Sequence, residues 1–187
     1  MGRLNPKFAP VPSDFYPMPP QGVPPLLPWL DRQTLFCDPA AGNGALIDHL
    51  SRHGHRCVAA FDTAPRRDDV VARDALTLSE RDLAGAELFI TNLPWSYPVF
   101  PHLILHLMTL RPLWTLAPAR WAHAARSAAL VSHCSHIVCV PRLKWFPDSP
   151  HTHTQDSVWL RFDASHQEGP HFYPRETRSA DPWATET

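Results

Sequence analysis

This chain has no paired cysteines, no surplus of either charge and no long uninterrupted apolar run. Its four cysteines, Cys37, Cys57, Cys134 and Cys139, include no CxxC pair. Cys37, Cys57 and Cys139 fall in predicted strands, as expected of reduced thiols in a cytoplasmic protein. Seventeen basic against eighteen acidic residues leave a net charge of −1, so nothing global marks a binder of polyanions. A local basic face would suffice, however. Arg111, Arg120, Arg126, Arg142, Lys144 and Arg161 all fall in the second half, either as such a face or as scattered solubilising charges. The N-terminus lacks the basic-then-apolar pattern of a signal peptide, and Pro6 stands where a myristoylation signal needs Ser or Thr. His102 and His106 interrupt the most apolar helical segment, so no membrane span and no membrane partner are expected. His133, His136, His151 and His153 are too loosely spaced for a metal centre, and none is expected. There are no internal repeats.

What the chain does contain is enough for one domain. Its 187 residues, 44% of them hydrophobic, can bury a core of ordinary size. The 22 prolines concentrate at the ends, which therefore read as irregular, draped segments. Thr34 to Cys37 is a short apolar strand ending at Asp38-Pro39. Gly42 and Gly44 allow a tight turn, and a helix carrying Ala45, Leu46, Ile47 and Leu50 follows, closed by Gly54. Arg56 to Phe61 is the next strand, and a strand–helix–strand unit this short implies a parallel sheet. Further strands are predicted at Val70-Val71, Ala86 to Thr91 and Trp114 to Ala117. His136 to Val140 and Ser157 to Phe162 read as a closing hairpin. Helices are predicted over Val99 to Leu110 and Ala119 to Leu130. From Ala164 onward the polar composition reads as a loose tail.

Two motifs carry chemistry. The first is Asp38-Pro39-Ala40-Ala41-Gly42-Asn43-Gly44. An acid beside a glycine loop at a strand end is how an α/β sheet cradles a nucleoside cofactor. Ile47 stands where a dinucleotide fingerprint needs its third glycine, so the turn suits a cofactor without a pyrophosphate. The second is Thr91-Asn92-Leu93-Pro94-Trp95, an amide, a proline and a flat aromatic that can hold an exocyclic amino group and stack its ring. Asp38, Asp62, Asp74 and Asn92 each follow a predicted strand and so should line one sheet edge, where such sheets bind ligands. Each is also explained locally as a helix cap or turn residue.

These motifs in this order resemble the class I S-adenosylmethionine-dependent methyltransferases, in particular the DNA adenine-N6 branch of bacteria and their phages. Leu93 departs from the usual proline, as it does in the ribosomal RNA adenine dimethyltransferases. Asp14-Phe15-Tyr16-Pro17 is similar to the N-terminal cofactor motif of that branch. The segment from Arg142 to Ser149, containing Lys144, Trp145 and Phe146, together with Trp159 to Asp163, resembles its late motifs. The resemblance covers roughly residues 14–163 and implies a Rossmann-like α/β fold with a mostly parallel, seven-stranded sheet and helices on both faces. It implies a Pro-rich segment over 1–28 packed near the cofactor site, a catalytic domain over 29–165 and a polar tail over 166–187.

The same resemblance assigns roles. S-adenosylmethionine would be held by Tyr16, Pro17, Asp38, Pro39, Ala40, Gly42, Gly44, Asp62, Asp74 and Asn92. Asp62 would take the ribose and Asp74 the adenine amino group. Asn92 Oδ1 and the Leu93 carbonyl would accept from the target amine, Pro94 would hold that carbonyl, and Trp95 would stack on the target base. Lys144, Trp145 and Phe146 would contact substrate, although the two aromatics read equally as core packing. The implied partner is duplex DNA with its target base flipped, in a bacterial host or phage-infected cell, with a homodimer as candidate assembly. About 15 residues separate Asp74 from the strand before Asn92, and few follow Phe162, so no target-recognition domain is expected there and sequence specificity should be broad or short. RNA adenine or protein glutamine N5 fits the same loop, because an amide nitrogen needs the same two acceptors. A catalytically inactive DNA- or subunit-binding partner is the alternative of another class. Cytosine-C5 chemistry is disfavoured, since no Pro-Cys pair is present.

Overall fold

The computed structural model describes residues 16–145 and 156–174. Five strands run parallel: β1 (Leu35–Asp38), β2 (Arg56–Asp62), β3 (Val71–Ala72), β4 (Leu88–Thr91) and β5 (Leu113–Pro118). β7 (Ser157–Phe162) lies antiparallel between β5 and β6 (Cys134–Cys139). β8 (His171–Tyr173) adds to the outer side of β6, in parallel. The order is β3-β2-β1-β4-β5-β7-β6-β8, one sheet of eight strands. The mostly parallel sheet closed by an antiparallel strand is the one expected, with one strand more. That eighth strand lies in the segment whose composition reads as tail. Three residues carry too little alternation to announce a strand, and what anchors this one is aromatic. Tyr173 stacks on His136 at 5.1 Å and packs on Trp29 at 4.3 Å between ring centroids.

Side chains alternate across the sheet as the two-residue period of a strand requires. Phe36, Ile90, Trp114, Val138 and Trp159 enter one apolar cluster, whereas Cys37, Phe89, Leu113, Ile137 and Leu160 enter another on the opposite face. Helix α1 (Ala45–Ser51) supplies Leu46, Ile47 and Leu50 to the first cluster. Met18, Val23 and Leu26 of the Pro-rich segment join it there. The segment is pinned by a hydrogen bond from the fully buried Trp159 indole N–H to the Gly22 carbonyl, at 2.7 Å. Helix α2 (Val99–Leu110) covers the other face with Phe100, Leu103, Ile104, Leu107 and Met108.

The helix predicted over Ala119 to Leu130 is broken into two 3-10 turns, Ala119–His123 and Ala125–Ser127, before a single α-turn, α3 (Ala128–Val131). Ala124 between them is extended, with ψ 127°. The alanines favour helix, but they offer no apolar stripe to dock, and tertiary contacts decide instead. Trp121 is buried edge-on against Phe162, 5.3 Å between ring centroids, and the chain departs from helical geometry just after it.

Candidate active site at the carboxyl edge of the sheet

The chain leaves β1 toward β2 and β3 on one side and enters β4 and β5 on the other. The carboxyl ends of β1 and β4 therefore meet at a topological switch point, where open α/β sheets bind their ligands. A cavity of about 330 Å³ opens there. Asp38, Asp62, Asp74 and Asn92 all line it, each carried by the end of a different strand or the turn after it.

Asp38 is buried, and its Oδ1 accepts the Ala40 N–H at 3.1 Å. Burial pushes this carboxyl up to about 7, helped by the nearby Asp62 carboxylate and opposed by the Thr91 hydroxyl and the Ala40 amide. Asp62 ties the glycine turn to the end of β2: its Oδ2 accepts from Gly42 N–H and its Oδ1 from Ala64 N–H, both at 2.8 Å. A carboxylate oxygen has lone pairs for a second donor, so this bracing leaves acceptor capacity facing the cavity. Gly42 has φ +55°, a backbone conformation that favours glycine, and it lines the cavity between Ala41 and Asn43. Asp74 uses Oδ1 to cap the 3-10 turn Ala75–Thr77 through the Leu76 N–H, at 2.9 Å. Its local capping role and its position at the cavity wall coexist.

Asn92 is the most informative side chain. Its Nδ2 donates to the Tyr16 carbonyl at 3.0 Å, across 76 residues of sequence. A carbonyl can only accept, so this bond fixes which end of the amide is which. The Oδ1 that remains is shielded from solvent and has no hydrogen-bond partner among the described residues. A buried acceptor left unmatched costs roughly 1–3 kcal/mol.

Tyr16, Pro17, Pro39, Ala40 and Pro94 also line the cavity. Gly44 does not. It is buried at the N-terminus of α1 with φ +74°, and a Cβ there would lie 2.2 Å from the Arg67 guanidinium. Arg67 in turn bridges Asp48 and Asp69, each at 2.7 Å, so Gly44 accommodates a clamp rather than touching the cavity. Leu93 is buried in the core face below the loop. Trp95 turns away from the main cavity. Its indole N–H donates to the Leu116 carbonyl at 2.9 Å, and it lines a second, neighbouring cavity of about 150 Å³.

Trp145 is buried between Trp95 and Tyr16, edge-on to both at 5.6 and 5.7 Å. Of its two sequence readings, core packing describes where it sits: it braces the loop and the N-terminal segment against each other. Lys144 is exposed and lines neither cavity. Phe146, and with it Asp14 and Phe15 of the N-terminal motif, lies outside the described residues.

The sequence reading omits the apolar wall. Val99 and Leu103, one turn apart on α2, line the cavity together with Met18 and Leu76. The i, i+4 spacing directly after the Asn92 loop is a signal that could have placed them. Among the described residues no three His, Cys, Asp or Glu side chains come together as a metal site, and no helix is long and apolar enough to cross a membrane. Burial raises the Cys57 and Cys134 thiols to about 12, so neither is a ready nucleophile.

No protein-family model matches the sequence, and no curated protein does either. Solved structures are similar in fold. A candidate class I S-adenosylmethionine-dependent methyltransferase from Listeria monocytogenes aligns with TM-score 0.54 and 17% identity, over 81% of this chain and 61% of its own length. A candidate RNA methyltransferase from Pyrococcus horikoshii aligns with TM-score 0.50 and 11% identity, over 71% of this chain and 75% of its own. The chain thus spans about three fifths of the first of these proteins and three quarters of the second. The architecture it shares with them is the Rossmann-like fold of the class I methyltransferases.

Proposed function

We propose that this protein is an S-adenosylmethionine-dependent methyltransferase acting on adenine N6, in DNA, with relaxed or short sequence specificity. One observation carries the reading: the unpartnered Asn92 Oδ1, oriented by the Tyr16 carbonyl at the wall of the switch-point cavity.

The residues present fit the cofactor. Asp38 is a buried carboxyl poised to ionise opposite an ammonium group, Asp62 retains acceptor capacity for a ribose diol, and Asp74 offers its second oxygen to an adenine amine. Gly42 keeps the backbone close, and Val99 and Leu103 supply an apolar wall. When bound, S-adenosylmethionine would supply a methyl group made electrophilic by its sulfonium. The protein's own task is to present the acceptor nitrogen. An exocyclic amine is a poor nucleophile because its lone pair is delocalised into the ring. Asn92 Oδ1 accepting one N–H, and the Leu93 carbonyl the other, would draw that nitrogen toward tetrahedral geometry and aim its lone pair. Pro94 restrains the backbone that carries the second acceptor. Positioning of this kind supplies much of the acceleration, and no strong base is required. The proton released from the methylated nitrogen passes to water. Trp95, locked through its indole N–H, gives a flipped base a rigid aromatic surface.

Incubation with labelled S-adenosylmethionine and duplex DNA, single-stranded DNA, RNA or protein, followed by digestion to nucleosides, identifies the acceptor. N6-methyladenine from DNA is the expected product, and label in RNA or in protein glutamine moves the substrate accordingly. Asn92→Ala should abolish turnover while cofactor affinity, read by calorimetry, changes by no more than a few fold. Loss of both together would make Asn92 a structural residue and remove the basis of the proposal.

A further inference from the structure

The methyl-transfer reading uses the second cavity only through Trp95 and leaves its other walls without a task. It adjoins the first through the Asn92 loop: Pro94 lines one, Trp95 the other. Its aromatic walls are fixed in place. Trp95 is held by its bond to Leu116, and Trp121 is buried edge-on against Phe162. At its mouth Tyr97 is 60% exposed, and the Arg126 guanidinium lies over its ring, 5.1 Å from the centroid.

The two charged side chains that line this cavity, Arg120 and Arg126, are both basic, and Asp156, whose carbonyl accepts the Ala119 N–H at 2.9 Å, is paired with Arg142. Residues 88–147 contain no Asp or Glu at all, although the chain carries 18 of them. The acids that precede this stretch include Asp38, Asp62 and Asp74 of the first cavity. Within it, Arg120 and Arg126 both line the second cavity, both are exposed, and neither forms an ion pair among the described residues, whereas Arg67, Arg73, Arg111, Arg142 and Arg161 each pair with a carboxylate. Two unpaired guanidinium groups beside a rigid aromatic wall match a strand of phosphates and bases. A neutral glutamine side chain gives them nothing to neutralise.

We propose that Arg120 and Arg126 grip the phosphates that border the target nucleotide, so that the substrate of this site is a nucleic-acid strand rather than a protein. The inference rests on the proposed function for the word target, but the phosphate contacts stand or fall separately. The broken helix explains their placement. The extended residue Ala124 turns the chain between the two 3-10 turns, and both arginines, six residues apart, line the same cavity. A continuous α-helix would carry residues six apart to different faces.

The test is binding without turnover. Fluorescence anisotropy with labelled single-stranded DNA, single-stranded RNA and a polyglutamate peptide of equal charge, measured between 50 and 200 mM salt, reads the contacts directly. Each lost phosphate contact lowers the slope of log K against log salt by about 0.7 for a single strand. Arg120→Gln with Arg126→Gln should therefore lower it by about 1.4 and weaken nucleic-acid binding about tenfold at low salt. Cofactor affinity and the melting temperature should stay unchanged. Arg81→Gln, an exposed cation outside both cavities, should leave the slope as it is. A slope and affinity unchanged in the double variant, no binding by the unaltered protein, or equal binding of the peptide would each overturn the proposal. Whether the DNA or the RNA arm binds tighter names the source of the phosphates. A slope that falls in a protein that methylates no base keeps this inference and removes the proposed function. Methylation of adenine with an unaltered slope does the reverse.

Discussion

At the scale of single residues, the site is defined by polar atoms held at some cost. Asp38 is the clearest case. Burial keeps its proton on up to about pH 7, whereas the unfolded chain releases it near the ordinary carboxyl value of 3.8. The folded state therefore binds the extra proton between those two values, and stability falls as pH rises through that window, by up to about 4 kcal/mol. Above pH 7 the folded protein carries an unpaired buried carboxylate, which a bound ammonium would relieve. Two outcomes follow for one substitution. Cofactor affinity of the unaltered protein should rise about tenfold between pH 6 and pH 8 as Asp38 ionises. Asp38→Asn should flatten that profile, weaken binding, and raise the melting temperature at pH 8 relative to the unaltered protein. A variant less stable at pH 8, with the binding profile intact, would show that the carboxylate is neither strained nor used. Asn92 belongs to the same scale: its unmatched oxygen is a standing cost that the proposed substrate amine would relieve.

At the scale of elements, the Pro-rich N-terminal segment is as much a part of the site as any strand. Its Tyr16 carbonyl orients Asn92, and Met18 fills the apolar wall. What holds the segment down is the buried bond from Trp159 to the Gly22 carbonyl in the middle of the sheet. Trp159→Phe keeps an aromatic ring and strands that carbonyl, at a cost of about 1–3 kcal/mol. The melting temperature should fall by several degrees, and cofactor affinity should fall with it because the segment loosens over the cavity. Stability lost with cofactor affinity retained would mean that the segment is only a lid on the core. This is also where sequence reading succeeds and fails. The strands and α2 are legible because their apolar periods are set by burial, and Asp38, Asp62, Asp74 and Asn92 converge because parallel strands must end at one edge. The eighth strand and the broken helix after Pro118 are not legible. Each is decided by an aromatic contact, Tyr173 on His136 and Trp121 on Phe162, between residues distant in the chain. Trp95 and Gly44 have the right residue types at the right spacing, yet Trp95 faces the second cavity and Gly44 the Arg67 clamp. Motif spacing fixes the loop and not the direction in which each side chain leaves it.

At the scale of the whole molecule, the sheet divides labour by charge. Acids cluster where β1, β2 and β3 end, around the cavity suited to a cationic cofactor, and the acid-free stretch surrounds the cavity beyond β4 and β5. Such an arrangement would draw the proposed polyanion to one side of the loop and keep it off the other. It also bears on selectivity. Reading a base sequence requires side chains that reach base edges, as distinct from cations that position phosphates. The connection between β3 and β4, residues 73–87, carries two 3-10 turns, the first of them packed against α2. On the proposal that Arg120 and Arg126 hold phosphates, this chain would grip a strand without reading it. Methylation of a random-sequence DNA library, followed by mapping of N6-methyladenine, should therefore mark adenines in many contexts, with a preference of at most a few neighbouring bases. The rate should fall steeply between 50 and 200 mM salt while cofactor affinity holds, because only the substrate side depends on counterion release. Methylation confined to one long motif would require base-reading contacts from a second subunit or from residues beyond those described, and the view of this chain as a gripping rather than a reading enzyme would have to be abandoned.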